Sequence, residues 1–292
     1  TCRPRRRSGH RRCHRPGSGV DAASIAALLR DAGDVGGVIV VDDASQEPIG
    51  PVAGVQVLRL RTNTGPAVAR NGGLAAVTTP LVAFLDTDVT PTAGWLEPLL
   101  AHFADDRVGL VAPRVASAPG DGRLARYEMR HSSLDLGSVP GRIAPGTRIS
   151  YVPAAALLAR TDALREIDGF DRSLRVGEDV DALWRLVAAG WRCRYEPLAV
   201  VHHRPRDSWR RFISQRFTYG TSAAPLAQRH PGALAPLRVS GWSTGVWGLL
   251  ALGHPIAALG VAASTAGALV RKLPGVPPAE SLRLAALGHL NA

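Results

Sequence analysis

Leu81–Val89 reads LVAFLDTDV, five apolar residues running into Asp86, Thr87 and Asp88. An apolar run this short, closed by polar turn formers, is the pattern of a strand buried on both faces. The same design recurs upstream. Residues 37–45 (GVIVVDDAS) are an apolar run ending in Asp42 and Asp43, 55–60 (VQVLRL) read as a further strand, and 65–77 (GPAVARNGGLAAV) have helical spacing opened by Gly65 and Pro66. Further upstream, 21–33 (DAASIAALLRDAG) read as a short helix with Asp21 or Ser24 as N-cap. Downstream, 94–106 (GWLEPLLAHFADD) are amphipathic, 108–113 (VGLVAP) form a strand, and 148–160 (RISYVPAAALLAR) resume an apolar run. A helix over 178–190 (EDVDALWRLVAAG) is followed by two short extended stretches, 191–197 (WRCRYEP) and 198–203 (LAVVHH), and by a basic amphipathic helix over 207–220. Residues 114–150, rich in Gly, Pro and polar residues, read as loop. Strands alternating with helices predict an α/β fold with a mainly parallel central sheet, whose ligands bind beyond the carboxyl ends of the strands.

Two strands carry carboxylates at that end. Asp86 and Asp88, one residue apart where the chain turns, can approach one divalent cation, and Mg²⁺ or Mn²⁺ takes such oxygens together with phosphate oxygens; the same pair also suits a solvated turn. Asp42 and Asp43 suit hydrogen bonds from a base or ribose, or a plain strand cap. The helix opened by Gly65 and Pro66 turns free N–H groups toward an anion, with Arg70 one turn on. Glu178, Asp179 and Asp181 crowd a helix start, where the dipole favours acids and mutual repulsion raises a carboxyl pKa toward that of a general base. His202 and His203 close an extended stretch, either structural or ready to join a carboxylate-held cation. Two further motifs lack their context. Gly17–Ala22 fits G-x-G-x-x-A with no strand before it. Gly241–Gly245 fits G-x-S-x-G, but Glu280 is the one acid after it.

The formal charge of +11 suggests a polyanionic partner, yet residues 1–15 hold seven Arg and no acid, leaving 28 basic against 24 acidic residues beyond them. Aromatic residues make up 5% and do not interleave with the basic runs, so no nucleic-acid partner is expected. Residues 1–20 have no apolar periodicity and no signal-peptide core, and read as a disordered leader. Cys2, Cys13 and Cys193 are too few and scattered for a disulfide framework, which fits a reducing cytosol; Cys2, His10, Cys13 and His14 lack zinc spacing. The chain starts at Thr1, its one methionine is Met129, and Lys272 is the one lysine beside 34 Arg. These features point to a GC-rich coding sequence and a leader that reflects where the reading frame begins. Residues 239–270 contain no Asp, Glu, Lys or Arg. That length can cross a bilayer, although six glycines, His254 and Pro255 interrupt it; membrane insertion or peripheral contact stands against a buried hairpin or partner interface. The expected organisation is a leader over 1–20, one α/β domain over 21–237 and a hydrophobic region over 238–292.

In order along the chain, VVDDAS, NTGPAVARNGG, FLDTD, GFD (169–171), GEDVD with WRL, and HH resemble the inverting nucleotide-sugar glycosyltransferases of family 2, which share the GT-A fold. The likeness runs from Ile25 to Tyr219. Within that family, residues 88–115, RYEMRHSSLDLG (126–137), 145–160, 174–186 and FTYGTSAAPLAQRHPG (217–232) are similar to the mycofactocin-system group, fitting a GC-rich actinobacterial source. The resemblance implies UDP-glucose as donor and a peptide-derived redox cofactor as acceptor. A cell-wall glycan or lipid acceptor is the alternative, and a non-catalytic binder of anionic lipid or nucleic acid the distant one. It implies Asp43 on the uracil, Arg70 near the diphosphate, Asp86 near the ribose or sugar, and Asp88 on Mg²⁺ or Mn²⁺ with His202 or His203. Asp179 becomes the catalytic base with Glu178 as its neighbour, working in the cytoplasm at the inner face of the membrane. One departure stands out: where the family carries an apolar first strand, this chain carries the Arg-rich leader. The expectation is a frameshifted or incomplete start, which would explain the leader, the missing Met and the missing strand together.

Overall fold

The computed structural model describes residues 36–205, 208–234, 240–273 and 277–290. The leader, the helix expected over 21–33 and the position of the family's first strand lie outside them. The chain divides into two compact units, one ending at Leu234 and the other beginning at Ala235.

In the first unit β1 (Val38–Asp42) pairs in parallel with β2 (Val55–Arg59). Then come α1 (Pro66–Ala76), β3 (Leu81–Leu85), β4 (Val89–Pro91), α2 (Leu96–Leu100) with a 3₁₀ turn, and β5 (Val108–Ser117). α3 (Arg123–His131), β6 (Gly141–Ile143), β7 (Ala156–Arg160) and α4 (Thr161–Glu166) lead to α5 (Glu178–Ala188), β8 (Arg192–His203), α6 (Trp209–Gly220) and α7 (Ala223–Arg229). A six-stranded sheet runs β3-β7-β5-β8-β4, with β6 also on β8.

The central sheet is mixed, which corrects the mainly parallel expectation. β5 and β8 run parallel, but β7 lies antiparallel between β3 and β5, and β4 and β6 are antiparallel to β8. Apolar periodicity reports burial and not direction. The stretch read as loop contains the end of β5, α3 and β6. It is tied down by Arg114, which grips Asp135 with two bonds of 2.9 Å, and by Tyr195, whose hydroxyl donates to Gly137 O at 2.7 Å. The two extended stretches near 191–203 are one strand, with register shifts against β5 between Val108 and Leu110 and between Pro113 and Arg114.

Alternation builds the core on both faces of this sheet. Val82, Phe84, Leu157, Ala159, Leu110 and Ala112 face one side, under α1 and α5. Ala156, Leu158, Val111, Val115 and Val201 face the other, with Trp95 and Leu99. Among the described residues β1 pairs only with β2 and β3 only with β7, so no ladder joins the two sheets. The valines and isoleucine of β1 are accordingly only half-buried.

In the second unit the charge-free stretch is not one span. It forms α8 (Gly241–Ala251) and α9 (Pro255–Lys272), separated by a break in which Gly253 takes φ +77 and Pro255 starts the next helix. Among the described residues no helix is long and apolar enough to cross a membrane. α10 (Pro278–Leu290) closes the unit. Ser243 of the G-x-S-x-G motif does meet a histidine: its hydroxyl lies 3.0 Å from His289 Nδ1, while His289 Nε2 lies 2.7 Å from Thr265 Oγ1. Ser243 is buried and the third group is a hydroxyl, so the cluster ties three helices together and lacks the carboxylate of a hydrolase triad.

Leu157, 1% exposed, touches the centre of the core, whereas Leu198 is 80% exposed on β8. Leu157→Ala is expected to cost about 2–5 kcal/mol. Leu198→Ala should stay within about 0.5 kcal/mol, both read from urea unfolding.

Candidate active site

Four chain segments meet at the carboxyl ends of β1 and β3. Asp42, the last residue of β1, turns inward and is buried. Its Oδ1 accepts from Ser45 N at 2.8 Å, its Oδ2 from Ile49 N at 3.3 Å, and Arg59 of β2 pairs with it. Burial alone would raise this carboxyl, but the Ser45 and Ile49 bonds and Arg59 prevail and hold it at about 2. Asp42 therefore shapes the loop. Asp43 faces the start of α1: its Oδ1 accepts from Thr64 N (2.8 Å) and Thr64 Oγ1 (3.0 Å), and its Oδ2 from Gly65 N (2.8 Å). Two carboxylate oxygens offer about four acceptor sites, so three are used and one remains for a ligand donor.

Arg70 sits one turn into α1, with 12% of its side chain exposed. NH1 donates to Glu178 Oε1 at 2.7 Å, NH2 to Asp86 Oδ1 at 2.9 Å, and the guanidinium lies 5.5 Å from the centre of the Phe170 ring. One cation thus joins the end of β3 to the start of α5. Glu178 is pushed up from the ordinary range by burial and then by Asp179, with Arg70 opposing. Asp86 keeps 43% of its side chain exposed, yet the protein crowds it from behind. That crowding is the larger cause of its raised pKa; Arg70 opposes it, and Asp88 and Asp179 add repulsion.

Antiparallel pairing of β4 with β8 sets Val89 opposite His203 and Thr90 opposite His202. Neighbouring residues on a strand face opposite ways. His203 Nε2 stands 3.2 Å from Asp88 Oδ2, in the turn before β4, whereas His202, its neighbour on β8, is turned to the other face. Ligands at right angles on one octahedral Mg²⁺ are about 3.0 Å apart, so this oxygen–nitrogen pair fits a divalent cation whose remaining positions go to other donors. Among the described residues no group of three or more His, Cys, Asp or Glu gathers as a complete metal site.

Asp179, half-buried beside Glu178, accepts from Ala154 N at 3.1 Å and Val180 N at 2.8 Å. Gly177, just before Glu178, takes φ +81, and a Cβ there would come within 2.8 Å of Ser222 Cβ, so only glycine fits both the turn and the approach of the start of α7. Structure also adds residues that sequence reasoning passed over. Asn71 exchanges bonds with the Phe170 backbone, accepting from its N at 2.9 Å and donating to its O at 2.6 Å. Trp184 Nε1 donates to Ser150 O at 2.8 Å. Asp181, counted only as one of three acids, is buried against Arg185 and His230. The Asp181–Arg185 pair had a signal in its i,i+4 spacing; His230 had none.

Residues 22–168 match the family model described as Glycosyl transferase family 2. The chain belongs to glycosyltransferase family 2. This glycosyltransferase is 46% identical over 261 residues to the Pre-mycofactocin glycosyltransferase of Mycobacterium tuberculosis, a match that covers 87% of this chain and 54% of the relative. The chain therefore spans about half the length of that protein. Among solved structures it resembles a mannosyltransferase from Pyrobaculum calidifontis in complex with GDP-Man and Mn²⁺ (TM-score 0.53, 18% identity, covering 92% of this chain and 84% of that one). It also resembles S. aureus TarS in complex with UDP (TM-score 0.51, 15% identity, 94% and 85% covered). The glycosyltransferase has the GT-A fold, and Asp43, Asp86 and Asp88 follow the ends of β1 and β3.

Asp42 binds its protons less tightly folded than unfolded, so it contributes stability that is full above pH 3.8 and is lost as pH falls through about 2. Asp42→Asn should be less stable than the parent at pH 6, with the gap closing toward pH 2 in urea titrations.

Proposed function

We propose that the chain transfers glucose from UDP-glucose, with inversion, to a hydroxyl of a peptide-derived redox cofactor of the mycofactocin type. One observation carries the reading: Arg70 holds Asp86 and Glu178 together, and with them the neighbouring Asp88, paired with His203, and Asp179. The relationship to the pre-mycofactocin enzyme supports the choice of acceptor, and the UDP-bound likeness agrees with the choice of nucleotide.

In this reading Asp43 accepts a hydrogen bond from the uracil, Arg70 lies beside the diphosphate, and Asp86 approaches the ribose or sugar. Asp88 and His203 would hold Mg²⁺ or Mn²⁺, which when bound neutralises charge on the diphosphate. Asp179 takes the proton of the acceptor hydroxyl as its oxygen bonds to the anomeric carbon. The bond from that carbon to the diphosphate breaks on the opposite side, the leaving group keeps the electron pair, and the configuration inverts. Glu178 is committed to Arg70 and leaves base chemistry to Asp179.

Asp179→Asn is expected to lower kcat about 10²–10⁴-fold while UDP affinity, measured by calorimetry, stays within about threefold. Retained turnover would remove the base assignment. Asp88→Ala should lose Mn²⁺ binding in the same instrument, and unaltered Mn²⁺ binding would move the cation elsewhere. The proposal places the enzyme in the cytoplasm at the inner membrane face, in peripheral contact through Trp242, Trp247, Leu252, Ile256 and Leu259, all exposed on the second unit. Sedimentation with vesicles containing anionic lipid checks this: the parent should pellet, and Leu252→Ser with Ile256→Ser should stay in the supernatant.

A further inference from the structure

Asp181 lies two residues beyond Asp179 on α5, so it points some 200° around the helix from it and takes no part in the cleft. It is 1% exposed, and burying a carboxylate is costly unless every oxygen is satisfied. Here Oδ2 accepts from Arg185 Nε at 2.7 Å and Oδ1 from His230 Nε2 at 2.9 Å. A carboxylate only accepts, so the imidazole is the donor. The His230 ring, just past the end of α7, stands edge-on to Trp184 with centroids 5.1 Å apart.

Arg229 NH1 also lies 3.7 Å from Asp181 Oδ1, and the partners of Asp181 lead to the reacting groups. Arg185 donates to the carbonyls of Ile167 and Gly169. The next residue, Phe170, is bonded to Asn71, the neighbour of Arg70 on α1. Arg229, beside His230, pairs with Asp171 and donates to Ser173 Oγ at 2.9 Å. The end of α7 therefore grips α5 through Asp181 and the 167–173 turn through Asp171. Ser222, at the start of α7, lies so near Gly177, immediately before Glu178 and Asp179, that no Cβ fits between them.

We propose that the His230–Asp181 hydrogen bond positions Asp179, by fixing the first turn of α5 against α7 and so the angle at which the carboxylate meets the acceptor hydroxyl. This rests on Asp179 being the base. His230 is a positioning residue and touches no reacting atom. Its loss leaves Leu226 of α7 in the core and the Arg185–Asp181 pair in place. It also leaves Asp43, Arg70, Asp88 and His203 on their own elements. The cost falls on turnover and not on donor binding.

The test compares His230→Ala with His230→Gln, whose amide N–H can reach the same oxygen, in the full chain with UDP-glucose and acceptor. His230→Ala should lower kcat roughly 10–100-fold, as expected for a small misplacement of a reacting group, with donor KM within about threefold. His230→Gln should recover to within about threefold of the parent. Hydrogen exchange at amides 178–182 should quicken in the alanine variant and return to the parent rate in the glutamine variant, a readout that needs no turnover. Parent-like kcat and exchange in His230→Ala, or equal losses in both variants, would overturn the positioning role. Full activity in Asp179→Asn is a separate outcome: it would overturn the base assignment on which the role depends, whatever exchange shows.

Discussion

Arg70 is the interaction on which the cleft depends. It brings together two carboxylates that a long stretch of chain separates, Asp86 at the end of β3 and Glu178 at the start of α5, and it does so from a third element. Arg70 and Glu178 are both largely withdrawn from water, so removing either leaves the other as an unpaired buried charge. A guanidinium with so little exposure carries a desolvation cost that is offset only by good geometry and further hydrogen bonds, and here it donates to both carboxylates. The two acids, crowded by Asp88 and Asp179, are in turn kept from repelling one another by the cation between them. The arrangement explains why Asn71, next on α1, is bonded to the Phe170 backbone: the guanidinium also rests over the Phe170 ring, so helix and turn must move as one.

What sequence made visible here was the chemistry held at strand and helix ends. An apolar run stopping at Asp86-Thr87-Asp88 locates both the end of a buried strand and the acids presented there, because burial and polarity change at the same residue. Gly177 marks the start of α5 for the same reason, since a tight turn and a close approach leave one residue type. What stayed hidden depends on pairing between distant segments. β7 reads as an apolar run in either direction, so its antiparallel insertion between β3 and β5 cannot be told from its own residues. His202 and His203 read alike in sequence, and only the folded chain sets His203 within 3.2 Å of Asp88. α3 was lost because Arg123–His131 has few apolar residues, and its buried Glu128 breaks the expected pattern.

Asp42 and Asp43 show how adjacent acids acquire different tasks. Alternation along β1 turns one inward and the other toward α1. The inward one is saturated by Ser45, Ile49 and Arg59 and becomes part of the frame. The other closes the Thr64–Gly65 loop and still has acceptor capacity. Sequence ranks the two alike, and only their surroundings separate a loop-shaping carboxylate from one available to a ligand.

The division between the sheets gives this economy a further consequence. Asp42 and Asp43 belong to the two-stranded sheet, while Asp86, Asp88, His203 and Asp179 belong to the six-stranded sheet and the helix packed on it. Among the described residues no backbone ladder spans the two, so the halves of the cleft are registered through α1: Gly73 lies against Val41 of β1, Asp43 holds the loop before the helix, and Arg70 and Asn71 hold its middle. A ladder shares its load over many equivalent bonds, whereas this link concentrates it in a few side chains. Local opening follows the weakest such connection. Among the described residues, separating β1 and β2 from the six-stranded sheet therefore means breaking the contacts of α1, the helix whose Arg70 also holds Asp86 and Glu178.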